Sequence, residues 1–284
     1  MSNQGVKEKT AFYEVRSLGP ILAAEIVGAD LSKPVSPEMF KQLQADFERY
    51  HVLAFRDQEL TKEDLVRFTN LWGSVGNHVQ RAGLVHTLSN ADANGKPTGF
   101  IPETGALHFH ADKSYMKTVA LATFLYGVEV PPVGGDTVFA NMYMAYDALT
   151  PEMKEKCDSL VLLHSLEWQN QLSNNKLGRE QFDRAPPVRH RLVWRHPQTG
   201  RKSLYIGSNA WKVEGWDLEP SRELIDQLNE FATQPKFSYS HKWKPHDLVM
   251  WDNRCTLHAG TPFDAGKYLR ILDRTVVEVT PAQW

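Results

Sequence analysis

Hydrophobic and polar residues alternate in short runs along most of this chain, and helical spacing is confined to a few stretches. Phe12 to Val15, Ile21 to Val27 and Val52-Leu53-Ala54-Phe55 read as strands. Between them, Ser36-Pro37 gives an N-cap followed by Pro at the first helical position, and Phe40, Leu43, Phe47 and Tyr50 form an apolar stripe. A second helix is expected from Thr61 through Leu65, Phe68 and Leu71-Trp72. From about Ser74 to Gly105 the chain is rich in Gly, Asn and Pro and reads as a long loop.

The second half repeats short strands: Leu107 to Asp112, Val119 to Val130, Thr137 to Ala140, Leu160 to Leu163, Arg191 to Trp194, Leu204 to Ile206, Phe237 to Tyr239 and Leu248 to Trp251. Gly266 to Val277 is a last strand, and helices are expected near Met142, from Thr150-Pro151 toward Cys157, and from Pro220 to Phe231. Trp168 to Arg189 is polar and irregular, a second candidate lid. Many short strands with a few helices indicate an α+β protein with a double-stranded β-helix (jelly-roll) core, flanking helices and long active-site loops. No repeat or linker divides the chain, so residues 1–284 are expected to form a single domain.

Composition narrows the class. Apolar content of 42% and charged content of 23% describe an ordinary globular protein, and a formal charge of −2 argues against general affinity for nucleic acid or an anionic membrane. The start, Met1-Ser2-Asn3-Gln4, lacks an apolar signal region, and no long apolar run suggests a membrane span. Two cysteines, Cys157 and Cys255, are read as small buried hydrophobes, with a reducing cytoplasm as the expected location. The sequence leaves a homo-oligomer open.

The candidate chemistry lies in two segments. In an extended strand His110 and Asp112 point the same way, and His258 arrives later from another element. Two imidazoles and a carboxylate on one face of a metal leave other positions open, as in non-haem Fe(II) oxygenases. The same ligands occur in catalytic zinc sites, so a zinc hydrolase stays open on the residues alone. So does a non-catalytic jelly-roll binding protein with a structural metal. On the last strand Arg270 and Arg274 share a face with Leu272, and two inward guanidinium groups require anions.

These segments resemble the taurine / 2,4-dichlorophenoxyacetate dioxygenase family, which depends on Fe(II) and 2-oxoglutarate. The resemblance runs from Gly28-Ala29-Asp30-Leu31 through His110-Ala111-Asp112, Gly134-Gly135-Asp136-Thr137, Gly200-Arg201-Lys202, Ile206-Gly207 and Val213-Glu214-Gly215. It continues through Trp251-Asp252-Asn253-Arg254 and His258 to Arg274-Thr275. It implies that His110, Asp112 and His258 bind Fe(II), that Thr137 and Arg274 bind 2-oxoglutarate, and that O2 is the oxidant. It also implies that Arg270 holds an anionic substrate group, with His78 and His108 lining the same pocket. The small residue expected of a halogenase is replaced by Asp112.

The implied reaction hydroxylates a small anionic substrate and releases succinate and CO2. The Ile206-Gly207 and Val213-Glu214-Gly215 stretches favour an aryloxyalkanoate-like carboxylic acid, with a taurine- or alkylsulfonate-type substrate as the alternative. Ala106 stands where the family carries a substrate-binding amide.

Overall fold

The computed structural model describes residues 7–76, 83–101, 104–173, 177–196 and 199–279. Three antiparallel or parallel neighbours start the chain: β1 (Lys7–Lys9), β2 (Glu14–Ser17) and β3 (Ala24–Val27). Helix α1 (Pro37–Tyr50) begins where expected, with Ser36 Oγ accepting from Met39 N and Pro37 in the first turn. It buries Leu43, Phe47 and Tyr50, and His51 ends it in the left-handed region at φ 63°. Strand β4 (Val52–Phe55) follows at once, and α2 (Lys62–Asn70) opens with a reciprocal cap between Thr61 and Asp64.

The long loop contains an unforeseen strand, β5 (His86–Ser89). Then come β6 (Val119–Glu129), β7 (Thr137–Asn141), α3 (Met142–Asp147), α4 (Pro151–Asp158) and β8 (Val161–His164). The polar stretch after β8 holds two short helices, α5 (Leu166–Asn170) and α6 (Arg179–Arg184). Small strands β9 (Val188–Arg191), β10 (Val193–Arg195), β11 (Lys202–Leu204) and β12 (Ala210–Val213) lead to α7 (Leu218–Ala232). The chain closes with β13 (Ser238–His241), β14 (Leu248–Asp252), β15 (Thr256–Gly260) and β16 (Ile271–Val279).

The largest sheet has eight strands in the order β1-β2-β3-β4-β14-β6-β16-β5, all antiparallel except the β3/β4 pair. A second sheet, β13-β7-β15, has three strands. The two sheets meet through aromatic side chains: Trp251 of β14 lies 5.3 Å from Phe139 of β7 and 4.6 Å from His258 of β15, between ring centroids. The turn Asn253–Cys255 carries the chain from one sheet to the other, which is why residues of the Trp251-to-His258 stretch reach both.

The fold is therefore a mixed α/β arrangement around a large, mostly antiparallel sheet. The apolar stripes of α1, with Leu65 and Phe68 of α2, pack against the large sheet around Phe55, Phe124 and Met250. Helices α3 and α7 close the other end, where Leu224, Ile225 and Leu228 are buried with Leu162 and Ile206. Among the described residues no helix is long and apolar enough to cross a membrane. Cys157 and Cys255 are both free and buried, and burial pushes the Cys157 thiol up to about 11.

Candidate metal centre and active site

His258 sits in the middle of β15, and its backbone is clamped to that of His110. The His110 N–H donates to the His258 carbonyl at 3.0 Å and the His258 N–H donates back at 2.9 Å. This single antiparallel bridge is all that remains of the expected strand through Leu107 to Asp112. A 3-10 turn, Thr104–Leu107, precedes it, and Lys113 at φ 53° turns the chain away after it. Asp112 therefore does not owe its direction to strand alternation. Its N–H donates to Asn253 Oδ1 at 3.0 Å, and its Oδ2 accepts from the Thr123 hydroxyl at 2.7 Å.

The donor atoms of His110, Asp112 and His258 lie within 4.8 Å of one another, and all three residues are buried. No other group of three metal-donor side chains converges among the described residues. His110 Nε2 is 3.9 Å from Asp112 Oδ1, and His258 Nε2 is 3.6 Å from Asp112 Oδ2, both too long for hydrogen bonds. His110 Nδ1 lies 2.8 Å from the His108 carbonyl, which only accepts. Nδ1 must therefore carry the proton, leaving a lone pair on Nε2.

Electrostatics favour the ligand-ready forms. Burial alone would raise the Asp112 carboxyl, but His258, Arg274, His110 and the Thr123 hydroxyl together hold it below the usual carboxylate range. Burial, helped by the neighbouring His110, lowers His258 to about 3, so its imidazole is neutral at pH 7. A carboxylate and two imidazoles that converge without bonding one another fit a divalent cation such as Fe(II).

Around this centre are two cavities that share Ala106, His110 and Arg274. One is bordered by Leu88, Leu125, Thr137, His258 and Arg270. The other is bordered by Asp112, Lys113, Tyr115, Gln169, Asn170 and Asn209. Thr137, at the start of β7, is buried and accepts a hydrogen bond from Trp243 Nε1 at 3.0 Å. Arg270 precedes β16 instead of lying on it, and its Nε donates to the Gly135 carbonyl at 3.1 Å. Dense packing lowers its pKa to about 10, so the guanidinium stays charged at neutral pH.

Arg274 is on β16, where a register shift between Ile271 and Leu272 separates it from Arg270. Its Nη1 is 3.6 Å from Asp112 Oδ1, and its Nη2 donates to His86 Nδ1 at 3.1 Å. The two arginines therefore do not share the surroundings that strand alternation predicts. Arg270 borders only the Thr137 cavity, whereas Arg274 borders both.

His108 is exposed and borders neither cavity, contrary to the expectation that its ring lines the pocket. The strand premise failed there: after the 3-10 turn, its carbonyl serves His110 while its ring faces solvent. His78 lies outside the described residues. Sequence reasoning passed over His86, which pairs in register with Arg274, because β5 is short and hidden in a polar loop. It also passed over Gln169 and Asn170 on α5, whose only signal was their place in a region read as a lid, and Asn209, which carries no signal in the sequence.

Comparisons with known proteins agree with this geometry. The family model described as "Taurine catabolism dioxygenase TauD, TfdA family" matches residues 14–276. An (S)-phenoxypropionate/alpha-ketoglutarate-dioxygenase from Sphingobium herbicidovorans is 34% identical, over 89% of this chain and 90% of that one. An alpha-ketoglutarate-dependent 2,4-dichlorophenoxyacetate dioxygenase from a Burkholderia species is 33% identical, over 87% and 88%. The crystal structure of AAD-2 in complex with Mn(II) and N-oxalylglycine superimposes with a TM-score of 0.85 at 37% identity, covering 94% of this chain and 96% of that one. The chain belongs to the TauD, TfdA family of dioxygenases, and is an oxidoreductase that requires Fe(II), 2-oxoglutarate and O2.

Proposed function

We propose that the protein hydroxylates a small organic acid of the aryloxyalkanoate kind, at an iron held by His110, Asp112 and His258. Bound Fe(II) and 2-oxoglutarate together supply the oxidising chemistry, in which O2 is consumed, succinate and CO2 are released, and one oxygen atom enters a substrate C–H bond. The residues of the chain bind, orient and exclude water. The double-stranded β-helix is the architecture we assign to the paired sheets, with residues 1–284 as one catalytic domain in the cytoplasm.

The observation that carries the reading is the pair of cavities meeting at His110 and Arg274. It also supports exchanging the two arginine roles expected from sequence. With its oxo acid end toward the metal, 2-oxoglutarate would need a cation away from the metal ligands for its far carboxylate. Arg270 meets that need: it borders the same cavity as Thr137 and is bonded to Gly135 O instead of a metal ligand. The Trp243 N–H occupies one lone pair of Thr137 Oγ1 and leaves the Thr137 hydroxyl hydrogen available for that carboxylate.

Arg274, bordering both cavities beside Asp112, is then placed to hold the acid group of the substrate. His86 accepts from the Nη2 of Arg274 and so fixes its guanidinium plane. An anion held there leaves the rest of the substrate among Tyr115, Gln169 and Asn170, and brings its nearest carbon toward the metal. The identity to phenoxypropionate and 2,4-dichlorophenoxyacetate dioxygenases favours a carboxylate over a sulfonate.

The test is an anaerobic titration with Fe(II) and 2-oxoglutarate, followed by succinate release and O2 consumption over a panel of aryloxy acids, alkylsulfonates and their neutral amides. Coupled turnover of aryloxy acids alone supports the reading. Turnover confined to sulfonates, or equal for amides and acids, overturns it.

A further inference from the structure

We propose that Thr123 and Asn253 are positioning residues that fix the rotation of the Asp112 carboxylate, with Trp251 at the head of the chain. The inference rests on the assignment of Asp112 as a metal ligand and goes beyond it to residues that touch no metal. Four buried hydrogen bonds carry the argument. Trp251 Nε1 donates to Asn253 Oδ1 at 3.2 Å, and the Asp112 N–H donates to the same oxygen at 3.0 Å. Asn253 Nδ2 donates to Thr123 Oγ1 at 2.9 Å, and Thr123 Oγ1 donates to Asp112 Oδ2 at 2.7 Å.

Every proton in this chain has a forced position. An indole N–H and a backbone N–H only donate, so the oxygen facing them must be the carbonyl oxygen of Asn253. Its NH2 then faces Thr123, whose oxygen has to accept. The remaining hydroxyl hydrogen of Thr123 points at Asp112 Oδ2, which accepts it. Donation runs one way, from the indole to the ligand.

The elements explain why the chain is rigid. Thr123 lies on β6 and Trp251 on β14, which pair directly with Trp251 opposite Thr123. Asn253 lies in the turn that carries the chain from β14 to β15, and its own N–H donates to the Leu121 carbonyl at 3.0 Å. Thr123, Asn253 and Trp251 are each 0–1% exposed, so no water competes for these bonds. Trp251 also packs its ring 4.6 Å from that of His258. One side chain thus braces two of the three ligands, one by hydrogen bonding through the chain and one by contact.

The experiment measures Co(II) affinity of the purified, iron-free protein by equilibrium dialysis, with circular dichroism as the check on folding. Thr123→Val keeps the shape and removes the donor; Thr123→Ser restores the donor; Asp112→Ala removes the ligand. The expected result is a 10–100-fold weaker Co(II) affinity for Thr123→Val, the range seen when outer partners of metal ligands are removed, with Thr123→Ser within about threefold of the parent. Asn253→Asp, which sets a second carboxylate against Thr123, is expected to weaken Co(II) binding as well.

Equal affinity for parent and Thr123→Val, or no recovery in Thr123→Ser, overturns the proposal. If Asp112→Ala binds Co(II) as the parent does, the ligand assignment itself fails, and the proposal falls with it for a distinguishable reason. Should Thr123→Val not fold, Thr123→Ala removes the same donor and carries the comparison.

Discussion

Arg274 stands 3.6 Å from Asp112, whereas Arg270, four residues earlier in the chain, turns to the Gly135 carbonyl in the neighbouring cavity. That difference separates two arginines that the sequence places on one strand face, and with them the two proposed anion sites. Arg274→Ala is expected to raise the KM for the acid substrate about 10–100-fold, the worth of one charge-assisted bond, while slow 2-oxoglutarate turnover without substrate persists. Arg270→Ala is expected to raise the 2-oxoglutarate requirement by a similar factor. Steady-state kinetics with each variable in turn separate the two; the opposite pattern would restore the assignment expected from sequence.

Asp112 contributes the one negative charge among the three proposed ligands. Asp112→Ala is expected to abolish succinate formation, and dialysis of the parent against a chelator should do the same reversibly, with activity returning on addition of Fe(II) but not Mg(II). Metal content and succinate yield measured on the same samples check both expectations.

Gly207 bears directly on the candidate metal centre. Its φ of +112° suits glycine, and a Cβ placed there would lie 3.0 Å from the Phe109 carbonyl oxygen and 3.1 Å from His110 Cα. Gly207→Ala is expected to cost about 1–3 kcal/mol of stability and to weaken Co(II) binding by displacing His110. Urea denaturation and dialysis measure the two effects, and a variant as stable and as tight as the parent contradicts the placement.

His51 and His190 set an acid limit on stability. Burial lowers each to about 4, against about 6.5 in the unfolded chain. Above pH 6.5 both states are neutral and nothing is lost. As pH falls from 6.5 to 4 only the unfolded state binds the protons, so stability declines through that window, by roughly 2–3 kcal/mol per histidine. Metal-free denaturation curves at pH 7.5 and 4.5 should show the loss, and His51→Gln should show a smaller one; an unchanged pH slope would sink the attribution.

Much of this was legible from residue order, and the exceptions have physical causes. Helix α1 was readable because Ser36, Pro37 and a clean apolar stripe all agree. The meeting of His110, Asp112 and His258 was anticipated, but for a reason only half right. The histidines face each other across one bridge, and Asp112 is directed by Asn253 and Thr123. Those partners are small polar residues whose role depends on contacts distant in sequence, so no periodicity announces them. His108 misled because alternation was assumed through a turn, and His86 was hidden because four residues are too few for a pattern.

The reciprocal backbone bonds between His110 and His258 have a consequence for divergence within such proteins. Main-chain hydrogen bonds do not depend on which side chains flank them. The spacing of the two imidazoles is thus insulated from changes at Leu107, His108 and Phe109, and from changes in α5 across the cavity. Substitutions at Ala106 or in α5 would therefore reshape the cavity walls while the His110–His258 bridge stays put.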